Sequence, residues 1–405
     1  RRKAVDKMEF FSETKAREKG NFYKAVVISL KGASEFILRY AILAESKMLQ
    51  ARGEERRRLG GIMRNCKYVS EKPPSDFYQA VQSLWFLFLM LHLESIGSSF
   101  SPGRLDQYLY PFYINDLKEG RITEKEALTI IERLWLKFNE IVLLRDAEEA
   151  KYFAGFPIGF NVAIGGQNEN GDDATNELSY ICLEASANLR MPQPNLSIRL
   201  HQRTPEKFLR SVSRVISLGF GMPQLFNDEI IIPALLNRGI ESKDARNYAI
   251  IGCVELGIPG RSLGLSDAAL FNLPRLLELV INSGKNWSGG EEIRGSMREE
   301  KPLDSYENLK ENLNELMRDF IRRMVIGCNV VDQAHARLMP TPFLSSVIED
   351  CMEKGTDVSR GGAKYNFTGP QAVGIANLAD SLMAIKEFVY QKREIALEEL
   401  RQILS

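Results

Sequence analysis

Short apolar segments alternating with longer amphipathic ones predict an α/β protein, its strands buried beneath helices. Four segments bounded by Gly, Pro or Asn read as strands: Asn161 to Ile164, Asn195 to Leu200, Gln224 to Asn227 and Ala249 to Val254. Helical patterns follow most of them, and that alternation is the signature of strands packed inside an outer layer of helices.

Taken in order, residues 1 to 70 read as helix, rich in Lys, Arg, Glu and Ala with few breakers. Lys72-Pro73-Pro74-Ser75 is a stop, and Ser75 is the expected cap of an apolar helix running through Leu93. Gly97 to Gly103 is a small-residue loop, and Asp106 to Tyr113 is rich in aromatics. Thr123-Glu124-Lys125-Glu126 has the capping-box form, with an apolar stripe at Ala127, Ile130, Ile131, Leu134 and Leu136 after it. Thr204-Pro205-Glu206 opens a helix to Leu218, Pro suiting its first turn. Asp267 is expected to begin another helix as a cap or first-turn acid. Gly284 to Gly295 reads as a surface excursion. The chain starts without Met and ends at Ser405 inside a charged helical pattern, which suggests a fragment.

Composition narrows the function classes. The 405 residues carry 53 Lys+Arg against 53 Asp+Glu, and 44% are hydrophobic. A net charge of zero argues against nucleic-acid binding, which depends on clustered Lys and Arg. The most apolar run, Val81 to Leu93, is interrupted by Gln82, Ser83 and His92 and is too short to span a bilayer. The 5 cysteines, at positions 66, 182, 253, 328 and 351, form no CxxC pair, so neither a disulfide framework nor a metal site is expected. A reducing cytoplasm fits, and no signal peptide is visible. With 3 histidines, His92, His201 and His335, the chemistry leans little on imidazole.

The stretch Ile251-Gly252-Cys253-Val254-Glu255 carries the most chemistry. If it leaves a strand extended, Cys253 and Glu255 share a face, setting a thiol beside a carboxylate as a hydrogen-atom and proton pair. Glycines at 252, 257, 260 and 264 would let the loop enter a cavity. The plain alternatives are a buried, inert Cys253 and an Asp267 that only caps a helix.

Gly252-Cys253-Val254-Glu255 followed by Ser266-Asp267-Ala268-Ala269-Leu270-Phe271-Asn272 resembles the active-site cysteine loop of the glycyl radical enzymes, the pyruvate formate-lyase-like proteins, and within them the glycerol and diol dehydratases. Three further stretches match in order: Ser101 to Tyr108, Asp173 to Tyr180, and Ala376 to Leu382. The resemblance implies a ten-stranded α/β barrel of the pyruvate formate-lyase/ribonucleotide reductase type with outer helices, the cysteine loop inserted in its centre. Residues 1–405 would form part of that barrel domain, incomplete at both ends. Cys253 matches the cysteine that becomes a thiyl radical and abstracts a hydrogen atom from substrate. Glu255 matches the general base that removes a hydroxyl proton, and Asp267 a carboxylate that binds substrate hydroxyls.

Two positions depart from the diol-dehydratase pattern. A His-Ser pair there corresponds to Ser98 and Ser99 here, and a substrate-facing Tyr corresponds to Phe156. Two lost polar groups disfavour glycerol itself, because an unpaired substrate hydroxyl in a dry pocket is costly, and point to a less hydroxylated or bulkier substrate. Loop capping and core packing are the alternative roles for Ser98, Ser99 and Phe156. Those three, with Arg104, are expected near one enclosed pocket with Cys253, Glu255 and Asp267. The Arg-Val-small-Gly-Tyr-like segment that holds the family's glycyl radical is not found in the sequence; this chain alone is therefore expected to be inactive.

The expected function is a glycyl radical lyase, dehydratase-like, on a small hydroxylated molecule. C–C, C–N or C–S cleavage and a formate C-acetyltransferase-like reaction are alternatives on the same core. A cysteine hydrolase pairing Cys253 with His201 or His335, and an inactive scaffold, are readings of other classes. The resemblance further implies no stably bound metal or organic cofactor, a glycyl radical installed by an S-adenosylmethionine-dependent iron–sulfur activating enzyme, a homodimer, and an anaerobic cytoplasm.

Overall fold

The computed structural model describes residues 14–95, 99–142, 146–153, 159–285 and 301–404. The chain divides into two compact units. The first comprises residues 1–263 and 340–366, the second residues 264–339 and 367–405.

In the first unit, three parallel strands form the sheet that organises everything around them: β1 (Asn161–Gly165), β2 (Asn195–Leu200) and β3 (Gln224–Asn227), in the order β1-β2-β3. Asn161 pairs with Asn195 and Ser197 with Gln224. Parallel neighbours need crossovers, and helices Glu177–Leu189 and Glu206–Ile216 supply them. β1 is buried at all five positions, as expected of a strand covered on both faces, whereas β3 alternates between half-buried and exposed. The core joins Val162, Ile164, Leu196 and Ile198 of the sheet to Leu178, Ile181, Phe208 and Val212 of the crossover helices. Helix Glu124–Phe138 adds Ile131, Trp135 and Phe138. Phe88, Phe138 and Phe160 meet with ring centroids 4.8, 4.8 and 4.9 Å apart. Such ring contacts contribute about 0.5–1.5 kcal/mol each beyond the area they bury.

Local signals behave as the side chains dictate, with corrections. Thr123 and Glu126 close the expected capping box. The N-terminal helical region is two helices, Thr14–Met48 and Gly53–Val69, with a break over residues 49–52. The helix Phe77–Glu94 is capped by Asp76, whose Oδ1 accepts the Gln79 N–H at 2.8 Å, and not by Ser75. Ser75 instead hydrogen-bonds the Gln79 side chain.

Two further strand pairs complete the described sheets. β4 (Ala249–Ile251) and β5 (Glu255–Gly257) form an antiparallel pair, and β6 (Ser262–Asn272) pairs with β7 (Tyr365–Val373). The expected strand Ala249 to Val254 thus ends three residues early. Where a helix was expected from Asp267, the chain is extended through Asn272. The helix starts at Leu273, and Asn272 caps it by accepting the Arg275 N–H at 3.2 Å. Pairing with β7 overrides the helix-forming Ala268-Ala269-Leu270 run, since strand formation answers to neighbours more than to intrinsic preference. Among the described residues the strands thus form sheets of three, two and two. They do not make up a closed ten-stranded barrel, which requires more strands than these.

The second unit packs Leu276, Leu277, Val280 and Ile281 of helix Leu273–Ile281 against Leu309, Leu313 and Leu316 of helix Tyr306–Leu338, with Leu378 and Ile385 closing the cluster. Part of the expected excursion Gly284 to Gly295 lies outside the described residues.

Candidate active site

β4 and β5 are in register from Ala249 with Gly257 to Ile251 with Glu255, so Gly252-Cys253-Val254 is the connection between them. Gly252 has φ +59, a conformation glycine adopts without penalty. A Cβ there would meet Glu255 Oε2 at 2.8 Å and the Ser99 hydroxyl at 3.2 Å. The space a side chain would need is thus filled by two of the residues singled out in the sequence.

Because residues 252–254 form a turn, the alternation of a pleated strand does not bring Cys253 and Glu255 together. Hydrogen bonds do. Glu255 Oε2 accepts the Cys253 N–H at 2.9 Å and the Val254 N–H at 3.1 Å. The carboxylate therefore folds back over the turn and sits against the cysteine's own peptide group. Cys253 is exposed at the tip, whereas Cys66, Cys182, Cys328 and Cys351 are buried. Burial pushes the Cys66 thiol up to about 11, that of Cys351 to about 12, and that of Cys182 well above the ordinary value. With the other four buried, Cys253 is the accessible sulfur of the five.

The turn is held from beneath. Asn161, the first residue of β1 and fully buried, donates its side-chain amide to the Gly252 carbonyl and, at 3.3 Å, to the Cys253 carbonyl. Ser101 Oγ accepts the Asn161 N–H at 3.0 Å and the Gly252 N–H at 3.2 Å, and donates to the Ser99 carbonyl at 3.1 Å.

One layer deeper lies a buried ion pair. Arg199 of β2 bonds Asp228 through both Nε and Nη2 at 2.9 Å, both side chains having 0% exposure. Arg199 also donates to the carbonyls of Tyr248 and Arg246 at 2.9 Å. The Tyr248 hydroxyl donates to Asp228 Oδ1 at 2.7 Å, and its ring lies 3.9 Å from the Arg199 guanidinium carbon. Tyr248 immediately precedes β4, so this cluster fixes where the hairpin starts. Gly166 permits it: a Cβ there would lie 2.7 Å from Arg199 Cβ and Nε.

Arg104, expected at the pocket, is a buried tie: it donates to the Gly165 carbonyl at 3.0 Å and the Asn247 side chain at 3.2 Å. Two residues along, Asp106 Oδ2 accepts the Gly165 N–H at 2.8 Å and the Ser179 hydroxyl at 2.6 Å. Burial nonetheless raises the Asp106 carboxyl above its usual range. Desolvation thus outweighs the donors and the neighbouring Arg104 charge.

Ser99 thus joins Cys253 and Glu255. Ser98 and Phe156 lie outside the described residues. Asp267 is exposed within β6, at φ +64, in the second unit. His201 is buried with Nε2 3.0 Å from Asp173 Oδ1, and His335 lies on helix Tyr306–Leu338 of the second unit. Asn161, Ser197, Arg199 and Asp228 join the site without being among its expected residues. Asn161, Ser197 and Arg199 are polar positions within β1 and β2, and Asp228 opens the helix Asp228–Asn237 that follows β3.

The family model for pyruvate formate lyase-like proteins matches residues 1–405. The chain belongs to that family. Over 393 residues it is 36% identical to (2S)-3-sulfopropanediol dehydratase of Klebsiella oxytoca, covering 96% of this chain and 47% of that protein. Its structure matches the glycerol-bound B12-independent glycerol dehydratase of Clostridium butyricum with a TM-score of 0.94 at 38% identity, covering 100% of this chain and 51% of that one. A Roseburia inulinivorans structure concerned with 1,2-propanediol dehydration matches with a TM-score of 0.95 at 40% identity, covering 100% and 48%. The pyruvate formate lyase-like chain therefore spans about half the length of the relatives it matches. Those relatives are α/β proteins of the glycyl radical dehydratase branch. They lend no support to an inactive scaffold. Among the described residues no helix is long and apolar enough to cross a membrane.

Proposed function

We propose that this chain supplies the hydrogen-abstracting cysteine and the general base of a glycyl radical dehydratase acting on a small hydroxylated molecule. The observation that carries the reading is the Glu255 carboxylate bonded 2.9 Å from the Cys253 amide nitrogen, at the tip of a tight hairpin. Membership of the family and the dehydratase relatives support the reaction class.

The chemistry follows from these two side chains. A radical stored on a backbone glycine would take the thiol hydrogen atom of Cys253 at the start of each turnover and return it at the end. Cys253 loses its thiol hydrogen atom and, as a thiyl radical, takes a hydrogen atom from the substrate carbon that bears a hydroxyl: one S–H bond forms as one C–H bond breaks. Glu255 accepts that hydroxyl's proton, and the electron-rich carbon radical then expels hydroxide from the neighbouring carbon. Protonated by Glu255, the hydroxide leaves as water. The product radical regains a hydrogen atom from the Cys253 thiol. Proton transfer by a positioned carboxylate contributes about 10²–10⁴-fold in rate.

Asp267 binds substrate hydroxyls, while Ser98, Ser99 and Phe156 shape the pocket. A hydroxyl and a phenyl ring where the branch has His and Tyr favour a substrate with fewer hydroxyls or more bulk than glycerol. The barrel of ten strands, the S-adenosylmethionine-dependent iron–sulfur activating enzyme, a homodimer and an anaerobic cytoplasmic setting belong to this reading. No organic cofactor or metal need be bound by this chain for it.

The test uses the full-length polypeptide, treated anaerobically with its activating enzyme and S-adenosylmethionine. The expected result is a glycyl doublet in electron paramagnetic resonance, with dehydration in a panel of small diols. Absence of both would overturn the reading.

A further inference from the structure

We infer that Asn161 is a positioning residue for both reacting groups, acting through the two peptide units that flank Cys253. This rests on the function proposed above and deepens it. Each of those peptide units is held at both ends. The unit joining Gly252 to Cys253 gives its carbonyl to Asn161 Nδ2 and its N–H to Glu255 Oε2 at 2.9 Å. The unit joining Cys253 to Val254 gives its carbonyl to the same Nδ2 at 3.3 Å and its N–H to the same Oε2 at 3.1 Å. One amide on one side and one carboxylate on the other therefore fix both backbone dihedrals of Cys253.

The amide's orientation is determined by its other partner. Asn161 Oδ1 accepts the hydroxyl of Ser197, a fully buried residue of the neighbouring strand β2. Reversing the amide would turn its oxygen onto two carbonyl oxygens, so the network admits a single orientation. Asn161 and Ser197 both lie on the sheet, and active groups referred to strands are held more closely than groups referred to loops. A peptide group whose carbonyl accepts a hydrogen bond becomes a stronger N–H donor. The Asn161 amide therefore strengthens the hold of the two N–H groups on Glu255, and the base and the hydrogen-abstracting sulfur are aligned by one buried side chain that meets neither substrate nor radical.

The test compares Asn161→Asp, which keeps shape but replaces the donor with an acceptor, and Ser197→Ala, which removes the hydroxyl that orients the amide. Both are made in the full-length polypeptide. Asn161→Asp is expected to lower kcat about 100-fold with KM and glycyl radical yield unchanged, a loss typical of misplaced reacting groups. Ser197→Ala is expected to give a smaller loss of the same pattern. Amide hydrogen exchange at Cys253 and Val254 should quicken at least tenfold in Asn161→Asp, with exchange across β1–β3 unchanged. This second readout needs no radical. A wild type without radical or turnover would end the proposed function while the exchange data still judge the clamp. Wild-type kcat in both variants, or unchanged exchange at the two amides, overturns the inference. Should Asn161→Asp fail to fold, Ser197→Ala decides by the same two measurements.

Discussion

The Arg199–Asp228 cluster and the Cys253 hairpin tip use the same means, side chains that hydrogen-bond a neighbouring backbone, in opposite surroundings. Arg199, Asp228 and Tyr248 have no exposure at all. Cys253 and Val254 are open, Val254 to 59%. Bonds in the first place are expensive to break, because the survivors stay buried and unpaired. Bonds at the tip govern where two side chains point while contributing little to stability. Stability and chemistry should therefore separate cleanly between the two regions, and substitutions can test that separation.

The largest effect is expected beneath the hairpin. Arg199→Ala leaves the Asp228 charge buried without its guanidinium and deprives the Tyr248 and Arg246 carbonyls of their donor. A loss of about 3–5 kcal/mol is expected, read as a lowered denaturant midpoint at unchanged slope. A shift below about 1 kcal/mol would mean that the pair does not support the fold.

Glu255→Gln probes the tip. The glutamine carbonyl still accepts from the Cys253 and Val254 amides, so the melting temperature should stay within a degree or two. Without a base, kcat should fall by about 10²–10⁴. Thr123→Ala is the smallest perturbation. It removes the hydroxyl that accepts the Glu126 N–H at 3.2 Å and should cost about 1 kcal/mol in a denaturant melt without altering turnover. A Thr123→Ala variant with impaired turnover would break the proposed separation.

The legible parts of the molecule are those whose cause is local. β2 spans the residues its apolar run marks, and the Thr123–Glu126 box is written in four consecutive residues. The cap of helix Phe77–Glu94 is one residue off because Ser75 and Asp76 are both able to cap, and only backbone geometry chooses between them. Ser266 to Asn272 misleads for the opposite reason. Its small and straight-chain residues favour helix, but pairing with a strand about a hundred residues later decides the matter. The buried cluster needs Arg199, Asp228 and Tyr248 to meet from separate elements, and no spacing announces such a meeting. The Cys253–Glu255 pairing was expected for a strand's reason and is realised through a turn. The two residues were visible, and the geometry that joins them was not.

The most direct measurement removes the sulfur alone. Cys253→Ala in the full-length polypeptide, activated anaerobically, should show the same glycyl doublet as wild type in electron paramagnetic resonance and form no product from any diol that wild type dehydrates. Product formation by Cys253→Ala at a rate near that of wild type would contradict hydrogen abstraction by this thiol.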